Sequence, residues 1–401
     1  MPTIGRLTLT RFRNYRLARV DVDNRAVVVC GPNGAGKTNL LEALSFLSPG
    51  RGLRRAKLPE IALSDTPAAG AHEAKAESDD PGQGWAVAAT LVGPTDTTTI
   101  GTGWNPAIND KSGRDRRLLR IDGQPARTQT ALVDHLSVLW LTPQMDRLFI
   151  DGSSGRRRFL DRLVFGFDTG HAGRLARYER ALRDRARLLR EGVRDPSWLT
   201  ALEDQLATTG VAVTAARRET VDRLHQACRR TIGPFPRAHL AMVGTLDSWL
   251  AERPALLVED TVRGRLRDQR VSDAESGSAG IGPHRSDVMM GLYAENGTVI
   301  PADRCSTGEQ KALLLAMVLA NARLLAALPT GPPVLLLDEV VAHLDADRRR
   351  TLFCEILALG GQAWLTGTDV PLFAPLKDRA QFIMIAAGQA STMDSGARFE
   401  V

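Results

Sequence analysis

Residues Ala26–Cys30 (AVVVC) are apolar without a break, and the glycine-rich string Gly31–Thr38 follows directly. A short continuous apolar run ended by a turn signal predicts a buried strand of the parallel-sheet kind. The next segment, Asn39–Leu47, spaces its leucines as one face of a helix. Ahead of them Ile4–Thr10 predicts another strand, with Arg13-Asn14-Tyr15 as a loop. Further strand-like runs occupy Trp85–Val92, Thr97–Gly101, Leu118–Ile121 and Leu136–Leu141, while the polar, Pro-, Gly- and Ala-rich residues 65–84 predict a surface loop. From Arg156 the period changes: Leu175, Tyr178, Leu182 and Leu189 recur at helical steps, and Ser197–Arg230 reads as a second long helix interrupted at Gly210. Gly192–Pro196 is the expected turn between the two. The small, polar stretch Ser272–Gly282 marks a boundary, after which strands and helices alternate again. The expected architecture is an α/β head assembled from residues 1–150 and 280–401, with a mainly helical lobe inserted at 151–279.

Composition narrows this only slightly. A chain of 401 residues exceeds the usual single core, and its formal charge of +6, carried mostly by arginine, suits a phosphate-rich partner. The four cysteines have no C-x-x-C spacing, which argues against disulfides or structural zinc. No run approaches the roughly 20 apolar residues of a membrane span, so no membrane partner and a cytoplasmic location are expected.

The chemistry lies in three strings. Gly31, Gly36, Lys37 and Thr38 match G-x-x-x-x-G-K-[ST] between a predicted strand and helix. Glycines let the backbone wrap a phosphate; Lys37 would reach the β- and γ-phosphates of ATP, and the Thr38 hydroxyl would hold Mg²⁺. Pro333–Glu339 is an apolar run ending in two acids, where Asp338 can join the Mg²⁺ shell and Glu339 can polarise an attacking water. Between them, Ser306 and Glu309 have capping-box spacing ahead of an apolar helix, and such an N-terminus also suits a γ-phosphate.

The order of these strings, followed by Leu344-Asp345, resembles the ABC-type ATPases. About 300 residues separate Lys37 from Asp338, far more than a simple P-loop domain needs, which favours the recombination-repair and SMC branch over transporter subunits. With Leu9–Tyr15, Pro143-Gln144, Gly155–Asp161 and Gly282–Asp287 added, the chain from Leu9 to about Asp369 resembles the RecF family of bacterial DNA repair proteins. That resemblance implies an ATP-dependent DNA-binding protein, associated with the nucleoid, that dimerises head to head and acts at single-strand gaps, promoting recombinase loading. Its implied partners are double-stranded DNA, single-strand/double-strand junctions, a second copy of the chain, and mediators of the RecO/RecR type. Residue by residue, it implies that Gly31, Pro32, Asn33, Gly34, Ala35, Gly36, Lys37, Thr38 and Asn39 form the Walker A contact, with Arg13 and Asn14 beside it. Ser306, Gly308, Glu309 and Gln310 match the signature, Asp338 and Glu339 Walker B, and Gln144 the Q-loop, near Mg²⁺ and the attacking water.

In place of the histidine that many ABC ATPases carry after the last core strand, this chain reads Thr366-Gly367-Thr368. Thr368 can donate a hydrogen bond but cannot carry a proton as histidine does, so slow, switch-like hydrolysis is expected. Arg51, Arg54, Arg55 and Lys57 form a basic loop expected to grip DNA phosphates, with Arg174, Arg177, Arg185, Arg217 and Arg218 as further candidates. A transporter-type subunit, an SMC-like chromosome organiser and a non-catalytic interaction module are the alternatives. Sustained heptads for long arms are missing from the chain.

Overall fold

The computed structural model describes residues 2–63, 84–108, 115–192, 196–230, 233–386 and 388–393. The chain opens with β1 (Thr3–Phe12), β2 (Tyr15–Asp21), β3 (Ala26–Cys30) and α1 (Lys37–Ser45). Then come β4 (Trp85–Val92), β5 (Thr97–Trp104), β6 (Leu118–Ile121), β7 (Gln124–Pro125) and β8 (Val138–Leu141). The middle of the chain supplies α2 (Ser153–Phe165), α3 (His171–Arg190), α4 (Pro196–Arg229), β9 (Ala238–Val243), α5 (Thr245–Glu252), α6 (Ala255–Asp268), α7 (Arg270–Ser276), β10 (Asp287–Tyr293), β11 (Val299–Pro301) and α8 (Thr307–Ala326). It closes with β12 (Val334–Leu337), α9 (Ala346–Leu359), β13 (Ala363–Gly367), β14 (Ala380–Ala386) and β15 (Gln389–Met393).

Two compact units result: Met1–Pro143 with Leu325–Val401, and Gln144–Leu324. They divide elsewhere than at 151 and 279. The reason is strand pairing: β10, beyond the expected boundary, runs antiparallel to β9 inside the insert and to β11 on its other side. The second unit therefore keeps its own three-stranded sheet.

In the first unit, an antiparallel sheet of order β2-β1-β4-β5-β6-β7 accompanies a second sheet of order β15-β14-β3-β13-β12-β8. In the latter β14, β3, β13, β12 and β8 are parallel and only β15 is antiparallel. Burial of β3, β8, β12 and β13 along their whole length explains their unbroken apolar sequences. Helix α1 packs against β1 and β13, so Leu40, Leu41, Ala43 and Leu44 are all buried. Strand β2 was not foreseen, because Leu17 breaks its alternation; it stands 67% exposed on the outer face. Residues 64–83, which include nearly all of the expected surface loop, lie outside the described residues, as do 193–195 of the expected turn.

In the second unit α3 and α4 pack together around Tyr178, Ala181, Leu206, Ala207 and Val211, joined by Val258, Val262 and Leu266 of α6. Helix α4 is continuous through Gly210, contrary to the expected interruption. A methyl at that position would sit 3.1 Å from the Tyr178 ring and 3.3 Å from Pro283. Close approach, not a break, is what glycine provides there. Two arginines read as DNA candidates are core residues instead. Arg185, 1% exposed, meets Glu203 at 3.1 Å, Asp273 at 2.7 Å and the Leu266 carbonyl at 2.5 Å. Arg217 is forked onto Asp161 at 2.7 and 2.8 Å and reaches the Pro283 carbonyl. Buried guanidinium is tolerated because carboxylates and carbonyls occupy its donors. Among the described residues no helix is long and apolar enough to cross a membrane.

Candidate nucleotide site

The loop between β3 and α1 is shaped by three glycines in left-handed backbone, Gly31 (φ 150), Gly34 (φ 79) and Gly36 (φ 116). Gly36 also needs its missing side chain, since a methyl would lie 2.5 Å from the Asn14 amide and 2.8 Å from the Tyr15 hydroxyl. Those two residues brace the loop: Asn14 Nδ2 donates to the Ala35 carbonyl at 2.9 Å, and Tyr15 Oη to the Gly36 carbonyl at 3.0 Å. Burial pushes the Tyr15 hydroxyl far above its ordinary pKa, so it remains a donor. Asn39 in turn donates to Asn14 Oδ1 at 2.7 Å.

At the start of α1, Lys37 Nζ donates to the Gly31 and Pro32 carbonyls at 2.8 and 3.0 Å. The Thr38 hydroxyl donates to Asp338 Oδ1 at 3.0 Å, three hundred residues away in sequence and at the end of β12. Thr366, buried in β13, donates to the same oxygen at 2.8 Å and accepts from the Glu339 N–H at 2.8 Å. Burial is the main cause that lifts the Asp338 pKa, opposed by the two threonine hydrogen bonds and aided by the neighbouring Glu339 charge. Glu339 adopts a left-handed backbone (φ 53), uncommon for a residue with a side chain, and the Thr366 contact holds it.

A cavity of about 230 Å³ opens over this cluster, lined by Gly34, Gly36, Lys37, Thr38, Asn39, Arg54 and Glu339. Arg54 thus faces this cavity. Its Nη1 also donates to Glu42 at 2.9 Å, and Arg13 grips the same carboxylate with two bonds, at 2.9 and 2.7 Å. Glu42 itself is fully buried. Arg13 is therefore a brace behind the cavity, whereas Arg51, Arg55 and Lys57 remain exposed.

The remaining expected residues belong to the other unit or to outer turns. Gln144 is exposed in the turn Pro143–Arg147. Ser306 and Glu309 make the expected capping box: Glu309 Oε2 accepts from the Ser306 N–H and hydroxyl at 2.7 and 2.8 Å, and the Glu309 N–H donates back at 3.3 Å. Ser306, Gly308 and Glu309 are exposed, while Gln310 turns inward to the Ala302 carbonyl. Asp345 caps α9 by accepting from the Arg348 N–H. Thr368 is exposed; the threonine wired to the acids is Thr366. Sequence reasoning missed Thr366 and Glu42, although a polar residue within an apolar strand and an acid within an apolar helix were both visible signals.

The string Gly282–Asp287 is held within the second unit by side-chain hydrogen bonds. Tyr178 donates to His284 Nδ1 at 2.6 Å while His284 Nε2 meets the Ala279 carbonyl at 2.9 Å; Ser286 bonds Asp247, and Asp287 receives a bidentate Arg156.

A glycine loop on a helix start, facing a buried strand that ends in two acids, defines an ABC-type P-loop ATPase head. The RecF/RecN/SMC N terminal domain family matches residues 3–363, and the chain belongs to it, on its RecF branch. It is 48% identical to the DNA replication and repair protein RecF of Rhizobium rhizogenes, over 96% of this chain and 97% of that protein. The RecF of Agrobacterium fabrum is 46% identical, over 96% and 97%. In fold the chain is similar to the recombination mediator protein RecF solved with ATP in the RecFOR pathway, with TM-score 0.80, 20% identity and 98% of each chain covered. A Pyrococcus furiosus Smc head bound to the C-terminal domain of ScpA is more distant, at TM-score 0.52 and 15% identity over 98% and 96%.

Proposed function

We propose that this protein is an ATP-gated DNA-binding protein of recombinational repair, in which hydrolysis is slow and serves as a switch. The observation that carries the reading is the Thr38–Asp338–Thr366 chain of hydrogen bonds beneath a cavity that also holds Lys37 and Glu339. A buried carboxylate and a hydroxyl are hard oxygen donors suited to Mg²⁺, and the upward pull on Asp338 is the cost a bound cation offsets. When bound there, Mg²⁺ would neutralise charge on the nucleotide's phosphates. Lys37 would leave its two carbonyls for those phosphates, and Glu339 would orient and deprotonate the attacking water.

The exposed signature start, Ser306 to Glu309, is read as closing on the nucleotide of a second copy, so ATP drives homodimerisation. Arg51, Arg55 and Lys57 are read as the DNA loop, and Arg54, on that same loop, as its link to the nucleotide. Gapped DNA with single-strand/double-strand junctions, mediators of the RecO/RecR type and recombinase loading complete the reading, in the cytoplasm at the nucleoid. The relatives named RecF and the solved RecF–ATP complex support it. An SMC-like chromosome organiser is disfavoured by the second unit, whose longest helix among the described residues, α4, has 34 residues.

Sedimentation with ATP or ADP tests the switch. Lys37→Arg should weaken ATP-induced self-association, and Glu339→Gln should trap the dimer while stopping turnover. Equal sedimentation of wild type with and without ATP would refute the gating; turnover well above about 10 s⁻¹ would refute slow hydrolysis.

A further inference from the structure

Arginines of the second unit differ in what meets their charge. Arg156, Arg185, Arg217, Arg263 and Arg270 each sit on a carboxylate, at 2.8, 2.7, 2.7, 2.6 and 2.5 Å. Arg180, Arg183, Arg187 and Arg190 of α3 do not. All four are exposed, and among the described residues none has a carboxylate within 4.0 Å. With 3.6 residues per turn they fall within an arc of about 80°, opposite the buried Tyr178, Ala181, Arg185 and Leu188, and span about 15 Å of helix.

Solvation alone is a poor account of this arrangement. Cations three and four residues apart on a helix repel one another and destabilise it. Acids stand within pairing distance in sequence, Glu179 four before Arg183, Asp184 four after Arg180 and Glu191 four after Arg187, yet these pairs are not formed. The stripe is thus a row of guanidiniums, none with a carboxylate within 4.0 Å, on one helix.

Resting on the DNA-binding reading above, we propose that the solvent face of α3 is a second DNA-contact surface, which adds to the ATP-gated grip a weaker, nucleotide-independent hold on the phosphate backbone of duplex DNA. Each strand of a duplex presents a charge about every 3.4 Å of axis, so four guanidiniums over about 15 Å find phosphates without a demanding register. Guanidinium forks match phosphate oxygens. No aromatic side chain shares the arc, so the contact carries no sequence preference. Because every member lies on one helix of the second unit, the nucleotide site is not needed to assemble it.

The test uses the full chain and a labelled duplex oligonucleotide, with affinity measured from about 50 to 200 mM salt, with ATP and without nucleotide. Changing all four arginines to Gln should make the salt slope shallower by about 3 to 4 in both nucleotide conditions, while the four-Lys variant keeps the wild-type slope. Circular dichroism should show the Gln variant folded and at least as heat-stable as wild type, since repulsion is relieved. A Gln variant with the wild-type slope, beside an Arg51/Arg55/Lys57→Gln variant that loses binding, would overturn the α3 surface and leave the wider reading intact. Failure of the wild type to bind duplex or gapped DNA in any condition would overturn the wider reading itself. Unchanged DNA affinity with loss of binding to an acidic protein partner would likewise reassign the stripe.

Discussion

Glu42 offers the sharpest quantitative test of the candidate site. It is fully buried on α1 and receives three charge-assisted hydrogen bonds, two from Arg13 and one from Arg54. Glu42→Gln keeps the shape and one acceptor oxygen but removes the charge and turns an amide N–H₂ toward a guanidinium. Breaking a buried ion pair costs about 3–5 kcal/mol. The two arginine side chains retain 19% and 30% exposure, so water partly compensates and the low end, about 3 kcal/mol, applies. For a unit of this size each kcal/mol moves the melting temperature by about 2–4 °C, giving a drop of about 6–12 °C. Thermal unfolding followed by circular dichroism measures it. Binding of a fluorescent ATP analogue should weaken in parallel, because Arg54 loses the anchor that holds it at the cavity wall. An unchanged melting temperature would refute the claim that Glu42 is the charge centre of this brace.

Two further outcomes follow from the titrating groups. Asp338 has its folded pKa raised by burial, so its ionised form costs stability that deepens as pH rises from the ordinary carboxylate range through the folded value. Asp338→Asn should therefore have a urea midpoint at neutral pH equal to or above wild type and a flatter acid-side profile, while losing Mg²⁺-dependent ATP binding; a clear drop in midpoint would contradict this. His284 has the opposite sense: burial, chiefly, depresses its pKa, so stability is complete above the unfolded histidine value of about 6.5 and is lost as pH falls below it, by up to about 1.4 kcal/mol per pH unit. Urea unfolding of His284→Gln between pH 5 and 8 should show a shallower acid slope than wild type, and identical slopes would remove His284 from the account.

Much of the candidate site's local geometry was legible in the sequence because its parts are local. A glycine loop needs its glycines at fixed positions for positive φ, and the run into Asp338-Glu339 must be apolar because β12 is buried on both faces. The capping box at Ser306 is likewise local, spanning four residues. What the chain alone determined, then, was each piece whose cause lies within a few residues of itself. Tertiary structure decided the rest. It brought Thr366 to Asp338, turned Arg54 toward the cavity, buried Arg185 and Arg217 on carboxylates, and paired β10 with β9 across the expected boundary. Arginine has the same sequence appearance in a core and on a surface; only the fold fixes whether a carboxylate or water meets its charge.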